Sequence, residues 1–375
     1  MFLEEERRTL AKFAPELDAE LKALGLEYLE TPECGRLASI IKRHHLPGLL
    51  VLPELGGAGC TPHEIIRIHR AIGARAPSMA IMLTMHNFTI AFCNMLTKVM
   101  PGAADMLNAV ADQQKVVASG FAEGRVGAGI LDSEMYIQRD GAGYRLSGSK
   151  KPCTMTNCMD YVTVGVAYRD GNGGRSTGMA ILLAEEEGIS RHPFWNATSL
   201  LAADSHELRF KEVYVPSERV LVADDDSQEK KVLIMMGEVM GLCWFEIIVT
   251  ASYLGVVSGL AERAMSNPSL DVHECALLGS ELETAQAALD GAIRIMEQGP
   301  FDETLPARIL LIRFSIQRTI ERCAMHAAEL TGGLAFVRDP DIATWLAASR
   351  CLAYHPISRK AAEPMMAAYL RGSGA

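Results

Sequence analysis

The spacing of apolar residues changes twice along the chain and divides it into three zones. From residue 1 to about 115, apolar residues recur with a period near 3.6, as in TPHEIIRIHRAIGARA, which predicts a series of α-helices. Short alternating or β-branched runs such as DYVTVGVAY then lie between Gly, Asp and Asn residues, which predicts strands. Long helical patterns return towards the C-terminus. We therefore predict a helical domain over 1–115, a small barrel or sandwich over 116–225, and a second helical domain over 226–375.

Two helix boundaries follow from proline positions. Thr61 precedes Pro62, and this pair is typical of an N-cap with proline at the first helical position. Near the C-terminus, Pro356 disfavours the helical conformation of His355, so a helix should end near Tyr354. His355 then lies at a helix terminus, where the local sequence alone favours a solvent-facing histidine.

Composition and charge restrict the class of protein. The chain has 375 residues, of which 49% are hydrophobic and 22% charged, so two or three domains with large cores are expected. The formal net charge of −10 argues against a nucleic-acid partner or an anionic membrane surface. The stretch MFLEEERRTLAKF carries acids where a signal peptide needs basic and then apolar residues, so a cytoplasmic location is expected. The longest apolar stretch, 247–261, is too short to cross a bilayer and should be a buried helix.

The cysteines and histidines show no metal-binding pattern. Nine cysteines are scattered without a CxxC motif, and their number is odd, so neither a disulfide framework nor a zinc site is expected. The ten histidines lack HxxxH and HExxH spacing, so we expect no metal.

Two glycine-rich segments leave alternatives open. In GFAEGRVGAG, residues 120–129, glycines could let backbone amides approach a phosphate, but the segment matches no phosphate-binding motif and the pattern favours a strand-to-strand turn. In LTGGLAF, residues 330–336, the glycines could simply end a helix.

Taken in order, several segments resemble the acyl-CoA dehydrogenase family, and the resemblance covers nearly the whole chain. The matching segments are PELGGAGCTPHE, YRLSGSKKPCTMTNCMDYVTV, ELRFKEVYVPSERVL, YLGVVSGLAERAM and AELTGGLAFVRDP. The resemblance implies an α+β fold with an N-terminal helical domain, a middle β-barrel and a C-terminal four-helix bundle. It also implies an FAD cofactor and a homodimer or homotetramer, because the family builds its flavin site between subunits.

The resemblance gives several residues a place beside the flavin. Thr154 matches the threonine that addresses flavin N5, where a hydrogen bond favours the reduced ring. Pro152 replaces an aromatic residue that covers the ring. Further cofactor-binding positions are Phe121, Ala122, Gly127, Ala128, Glu329, Gly332 and Gly333. The two alanines replace hydroxyl residues, and the double glycine lets the backbone approach the cofactor across a subunit interface.

Two departures from the family pattern affect the chemistry. After LAERAM the chain runs SNPSLDVHECALLGSE and lacks the arginine that holds the flavin pyrophosphate, which weakens FAD binding or shifts the task to another residue. Aligned by Tyr354 and Ser358, His355 falls where the family has the glutamate that removes the substrate α-proton. His355 is therefore the first candidate base, since a neutral imidazole suits proton abstraction near pH 7. Glu246, close to the alternative carboxylate of some members, is the second.

Three functions follow from these substitutions. The preferred one is α,β-desaturation of an acyl thioester, carried by CoA or by an acyl carrier protein, with an electron acceptor that the sequence does not indicate. The alternative is a flavin-dependent monooxygenase or N-hydroxylase, since relatives with this chemistry lack the glutamate and Pro152 opens the ring to oxygen. The third is a non-catalytic homologue.

Overall fold

The computed structural model describes residues 2–125, 133–169, 175–223 and 228–372, apart from the side chain of Glu229. Helices come first, strands follow and helices return, which is the order that the changes in apolar period predict.

The N-terminal part of the described chain is helical. Its α-helices are α1 (Glu4–Phe13), α2 (Leu17–Leu24), α3 (Leu26–Leu29), α4 (Cys34–Arg43), α5 (Pro62–Gly73), α6 (Pro77–Asn94) and α7 (Pro101–Gln113). The predicted start of α5 is confirmed, because the Thr61 hydroxyl accepts the Glu64 N–H at 3.2 Å while the Glu64 carboxylate accepts the Thr61 N–H at 3.1 Å. This reciprocal capping satisfies two amide groups that would otherwise lack partners at the first turn.

The middle of the chain forms strands that pair into one sheet. They are β1 (Val117–Gly120), β2 (Tyr136–Asp140), β3 (Gly143–Cys153), β4 (Tyr161–Arg169), β5 (Arg175–Leu183), β6 (Ile189–His192), β7 (His206–Pro216) and β8 (Val220–Val222). Their order in the sheet is β6-β7-β3-β2-β4-β5-β8, and β1 pairs in parallel with β4. This arrangement brings the ends of β1 and β3 and the middle of β5 towards the C-terminal helices.

The C-terminal part of the described chain is again helical. Its α-helices are α8 (Gln228–Met265), α9 (Val272–Gln298), α10 (Leu305–Thr331), α11 (Gly333–Arg338), α12 (Pro340–Ser349) and α13 (Arg359–Arg371). Helices α8, α9 and α10 pack pairwise, and α13 packs on α10. Helix α8 also contacts α5 and α6, so this helix joins the N-terminal and C-terminal helical regions.

Helix α8 is long and apolar enough, by length and composition alone, to cross a bilayer. Its segment 247–261 is buried against neighbouring helices, as predicted, although the helix extends far beyond that segment at its N-terminal end. Its first turns are more exposed and pass beside the sheet.

The helical segment ends before His355, as Pro356 predicts. A 3-10 turn over Arg350–Tyr354 ends there, and His355 has an extended backbone with φ −73° and ψ 142°. Helix α13 then starts after Ser358, whose hydroxyl accepts the Ala361 N–H at 3.3 Å. The short extended segment between the two helices turns His355 inwards, so the expected solvent-facing histidine is not found.

Candidate active site

A mostly apolar cavity lies between the sheet and the helices. Helix α6, the end of β1, the end of β3, strand β5, helix α8 and the segment that follows the 3-10 turn all contribute to its wall. The polar side chains among its lining residues are Ser119, Thr154, Thr177, Trp195, Ser205, Glu238 and His355. Glu238 is the one carboxyl group among the lining side chains of the described residues.

One face of α8 forms the helical wall of this cavity. The lining residues of this helix are Ile234, Gly237, Glu238, Gly241, Leu242 and Phe245. Their separations of three and four residues place them along a single stripe. A Cβ atom built at Gly241 would meet nothing within 4 Å, so the cavity is open in front of this glycine.

Thr154 reaches the cavity from the turn after β3. Its hydroxyl lies 3.0 Å from the hydroxyl of Ser205, and both side chains are almost completely buried. The next residue, Met155, has a left-handed backbone with φ 65°, which is uncommon for a residue other than glycine. Its N–H donates to the Ala203 carbonyl at 3.0 Å, which holds the turn in place. Pro152, at the end of β3, lines the same cavity.

A buried ion pair fixes the loop that carries Phe121 and Ala122, and both of these residues line the cavity. Lys150 Nζ donates to Glu123 Oε1 at 2.7 Å and to Ser133 Oγ at 3.0 Å. Burial alone would raise the pKa of Glu123, but the hydrogen bonds from Lys150 and Ser133 outweigh it and lower that pKa to about 2. The contacts of Glu123 thus hold the loop in place. Phe121 and Ala122, which come directly after β1, form part of the cavity wall.

The remaining predicted cofactor residues do not line the cavity. Gly127 and Ala128 lie outside the described residues. Glu329, Gly332 and Gly333 are exposed at the end of α10 and the start of α11. Nothing lies within 4 Å of a Cβ built at either glycine. Their contact with a cofactor across a subunit interface stays a prediction.

His355 lines the cavity and packs against two aromatic side chains, Phe245 and Tyr253. Its Nε2 lies 2.8 Å from the Tyr253 hydroxyl, and its ring centroid is 6.0 Å from that of Phe245. Burial, with a smaller contribution from Arg313, lowers the pKa of His355 to about 4. Burial also raises the pKa of Tyr253 well above its ordinary value, so both groups are neutral near pH 7. Nδ1 of His355 has no partner among the described residues and is the ring nitrogen left for a ligand.

Glu246, the second predicted base, has its carboxylate committed elsewhere. Its Oε1 accepts the Ile357 N–H at 3.1 Å, and its Oε2 forms an ion pair with Arg313 Nε at 3.2 Å. Arg313 also donates to the Leu352 carbonyl at 2.9 Å. Burial raises the pKa of Glu246 to about 7, although Arg313 and the Ile357 N–H oppose that rise. Glu246 is not among the lining residues of the cavity, and it fastens the segment next to His355 to α8 and α10.

Glu238 is the functional candidate that the sequence reasoning missed. The Thr177 hydroxyl donates to its Oε1 at 2.7 Å, and burial raises the pKa of this carboxyl while that hydrogen bond opposes the rise. The cavity-facing stripe could have been found from the three- and four-residue spacing of Ile234, Glu238, Gly241 and Phe245. An acid within such a stripe is a signal for a functional site, because a charged group in an apolar surrounding is unfavourable without a partner.

The cavity fits the ring system of a flavin. Thr154 and the Phe121 loop stand on its sheet side, and the open space before Gly241 would let a flat ring approach the backbone of α8. The lining is apolar apart from a few hydroxyl groups, one carboxylate and a neutral histidine, which suits an aromatic cofactor and a small organic substrate.

Comparison with known proteins gives one close relative and many similar folds. No family model matches the chain. The isobutylamine N-hydroxylase of Streptomyces viridifaciens is 34% identical over 374 residues, which cover 99% of this chain and 98% of that protein.

Among solved structures, KijD3 in complex with FMN and dTDP-3-amino-2,3,6-trideoxy-4-keto-3-methyl-D-glucose has a TM-score of 0.84 and 16% identity, covering 99% of this chain and 95% of that one. FMN-bound TdsC from Paenibacillus sp. A11-2, a dibenzothiophene monooxygenase, has a TM-score of 0.79 and 16% identity, covering 99% of this chain and 97% of that one. These likenesses confirm the predicted acyl-CoA dehydrogenase-like fold.

Proposed function

The chain belongs to the flavoenzyme family of the isobutylamine N-hydroxylase, and from this membership we propose that it is a flavin-dependent monooxygenase that hydroxylates the nitrogen of an amine. The alternative function deduced from the sequence is thereby preferred to desaturation. No relative described above is named for an acyl thioester, so neither CoA nor an acyl carrier protein is retained as a partner.

The observation that carries the proposal is the surrounding of His355. Desaturation on this fold needs a base beside the thioester, and the carboxylate of Glu246 is taken up by Arg313 and the Ile357 N–H. His355 itself is a weak base, because its pKa is lowered to about 4. A neutral imidazole in a mostly apolar cavity is better suited to accept a proton from a positively charged nitrogen than to remove a carbon-bound proton.

A flavin is the cofactor that we propose for this cavity. Thr154, Pro152, Phe121 and Ala122 would hold its ring on the sheet side, with Gly241 on the helix side. A bound reduced flavin supplies the electrons that activate molecular oxygen for transfer to the substrate. FAD remains our expectation, although KijD3 and TdsC are described with FMN. A separate reductase would deliver the reducing equivalents.

His355 has a defined task in this reaction. An amine nitrogen that gains an oxygen atom must release a proton, and a ring nitrogen facing the cavity can take it. If Nε2–H donates to Tyr253, Nδ1 carries the free lone pair and is the atom that receives this proton. Phe245 packs beside the ring, and Phe88 packs on Phe245, so the histidine has little freedom to turn away. The apolar wall also excludes water that would compete for the activated oxygen.

The test supplies the purified protein with reduced FAD or FMN, then with oxygen and isobutylamine, and measures the N-hydroxylated product by mass spectrometry. We expect product from the wild type and a loss of about 10²- to 10⁴-fold in His355→Ala with unchanged flavin binding. His273→Ala is the matched control, because this exposed histidine lies at the start of α9. Absence of product together with anaerobic bleaching of bound flavin by an acyl thioester would restore the desaturase.

A further inference from the structure

The carboxylate of Glu238 lacks a counter-charge. Its single hydrogen-bond partner among the described residues is the hydroxyl of Thr177, which donates to Oε1, and the residue lines the cavity. No lysine or arginine is found among the residues that line the cavity in the described chain. His355, the other ionisable lining residue, is neutral near pH 7 because its pKa is about 4. A cationic ligand would therefore supply the positive charge that the lining residues do not provide.

The surrounding side chains define the body of that ligand. Ile234 and Leu242 lie one turn before and after Glu238 on the same helix face. Phe92 of α6 packs against Gly237, where a built Cβ would approach its ring to 2.3 Å. These walls offer contact to alkyl groups and no polar partner beyond Thr177. A ligand that fits has a compact cationic head and an apolar body.

A primary ammonium group matches these requirements best. It is a compact charge with three N–H donors, and hydrogen bonds between ionised partners are roughly twice as strong as neutral ones. A guanidinium group is a larger planar donor that binds best through both carboxylate oxygens, and Oε1 already accepts one hydrogen bond from Thr177. The ammonium needs only Oε2.

We propose that Glu238, oriented by Thr177, is the residue that binds the ammonium group of a small aliphatic amine substrate and selects amines from neutral molecules of the same shape. This inference rests on the proposed N-hydroxylation for its identification of the ligand as substrate, and the bound ammonium must release one proton to solvent before its nitrogen has a lone pair that can take the oxygen atom. Burial of the unpaired carboxyl agrees with it, since the raised pKa of Glu238 reports a carboxylate that gains from a cationic partner.

The structure also distinguishes this role from a structural one. A carboxylate that only stabilises the fold is expected to meet a cation or several amides of its own chain, as Glu246 and Glu123 do. Glu238 meets one hydroxyl across the gap between α8 and β5. Its removal should therefore change ligand binding more than folding.

The experiment measures binding of isobutylamine and of isobutanol by calorimetry to the flavin-loaded wild type and to Glu238→Gln. We expect Glu238→Gln to bind isobutylamine about 10- to 100-fold more weakly, because a charge-assisted hydrogen bond is lost, and to bind isobutanol as the wild type does. Thr177→Val should weaken amine binding less than Glu238→Gln. Glu363→Gln, an exposed acid of α13, is the matched control and should bind both probes unchanged.

Two outcomes would overturn the inference. One is wild-type affinity of Glu238→Gln for isobutylamine, and the other is an equal loss of isobutanol binding, which would indicate a distorted cavity. The KM for isobutylamine should rise in parallel while kcat changes little. If amine binding depends on Glu238 but no hydroxylated product forms, the proposed N-hydroxylation is wrong while the role of Glu238 in amine binding stands. If product forms with an unchanged KM in Glu238→Gln, the role of Glu238 in amine binding is wrong while the proposed N-hydroxylation stands.

Discussion

Helix α8 carries two glutamates, the half-buried Glu238 and the fully buried Glu246, in surroundings that differ completely. Eight residues separate them, so at about 100° per residue their side chains point roughly 80° apart around the helix. Glu246 faces Arg313 of α10 and the Ile357 N–H. Glu238 faces the cavity and one hydroxyl of β5. Burial raises the pKa of both carboxyls, so a raised pKa alone does not tell them apart.

The comparison shows that the hydrogen-bond and ion-pair partners of each glutamate, and not the residue type, determine whether it stabilises the fold or is available to a ligand. Glu246 links α8 to α10 through its ion pair with Arg313, and Arg313 also donates to the Leu352 carbonyl near His355. The protein itself therefore supplies the cation that pairs with Glu246. Glu238 lacks such a partner within the described chain, and its counter-charge has to come from outside. The following predictions test this division, beginning with the largest effect.

The largest effect is expected for the stability of Glu246→Ala. This change leaves Arg313 as a buried cation without its carboxylate and should lower the free energy of unfolding by about 3–5 kcal/mol. The corresponding change Glu238→Ala removes a carboxylate without a cationic partner and should cost about 1 kcal/mol or less. Denaturant unfolding of the three proteins gives both values.

A double variant controls this comparison. Replacing Glu246 by Leu and Arg313 by Met removes both charges and should recover a large part of the lost stability, because buried ion pairs are often replaceable by apolar groups. Equal losses for Glu246→Ala and Glu238→Ala would contradict the division of roles.

An intermediate effect is expected for Tyr253→Phe. The loss of the hydroxyl frees Nε2 of His355, and a hydrogen bond of about 1 kcal/mol corresponds to a roughly fivefold fall in kcat. KM for the amine should stay unchanged, in contrast to Glu238→Gln, because Tyr253 positions the histidine and does not touch the ammonium. Steady-state kinetics of both variants measure this contrast. A rise in KM for Tyr253→Phe with unaltered kcat would speak against a positioning role.

The smallest effect concerns the pH dependence of stability. The folded pKa of Glu238 lies above the ordinary value of 4.5, so the folded protein still holds a proton that the unfolded chain has released. Stability therefore falls as pH rises from about 4.5 through the folded pKa. Glu238→Gln removes this loss, so the stability of the variant relative to the wild type should rise with pH between pH 4 and pH 8. Thermal unfolding across this range should show a flatter profile for the variant, while Glu363→Gln should follow the wild type.

The sequence predicts the fold well because local patterns determine its elements. The period of apolar residues indicates where helices give way to strands, Thr61 marks the start of α5, and Pro356 marks the break before His355. The fold itself came from the resemblance to acyl-CoA dehydrogenases, which the solved structures confirm. The similarity to an isobutylamine N-hydroxylase agrees with the function that the sequence suggested only as an alternative.

The candidate site was predicted less completely, because its decisive contacts join distant parts of the chain. His355 was singled out from the resemblance, but its partner Tyr253 lies 102 residues away. The pair of Glu246 with Arg313 depends on how α8 meets α10, and so the sequence alone could not show that this carboxylate is occupied. Glu238 was not predicted because its position in the cavity wall depends on how α8 packs beside β5.

The empty space before Gly241 has a consequence for how this protein could change its substrates. A glycine inside a helix lowers stability by roughly 0.5–1 kcal/mol relative to alanine. A single methyl group at this position meets no obstacle, so it would strengthen the helix and at the same time reduce the room for a ligand. Selection for a sturdier protein and selection for a bulkier substrate therefore act in opposite directions at one residue. Position 241 is accordingly the point at which laboratory evolution of ligand size would be the simplest to begin.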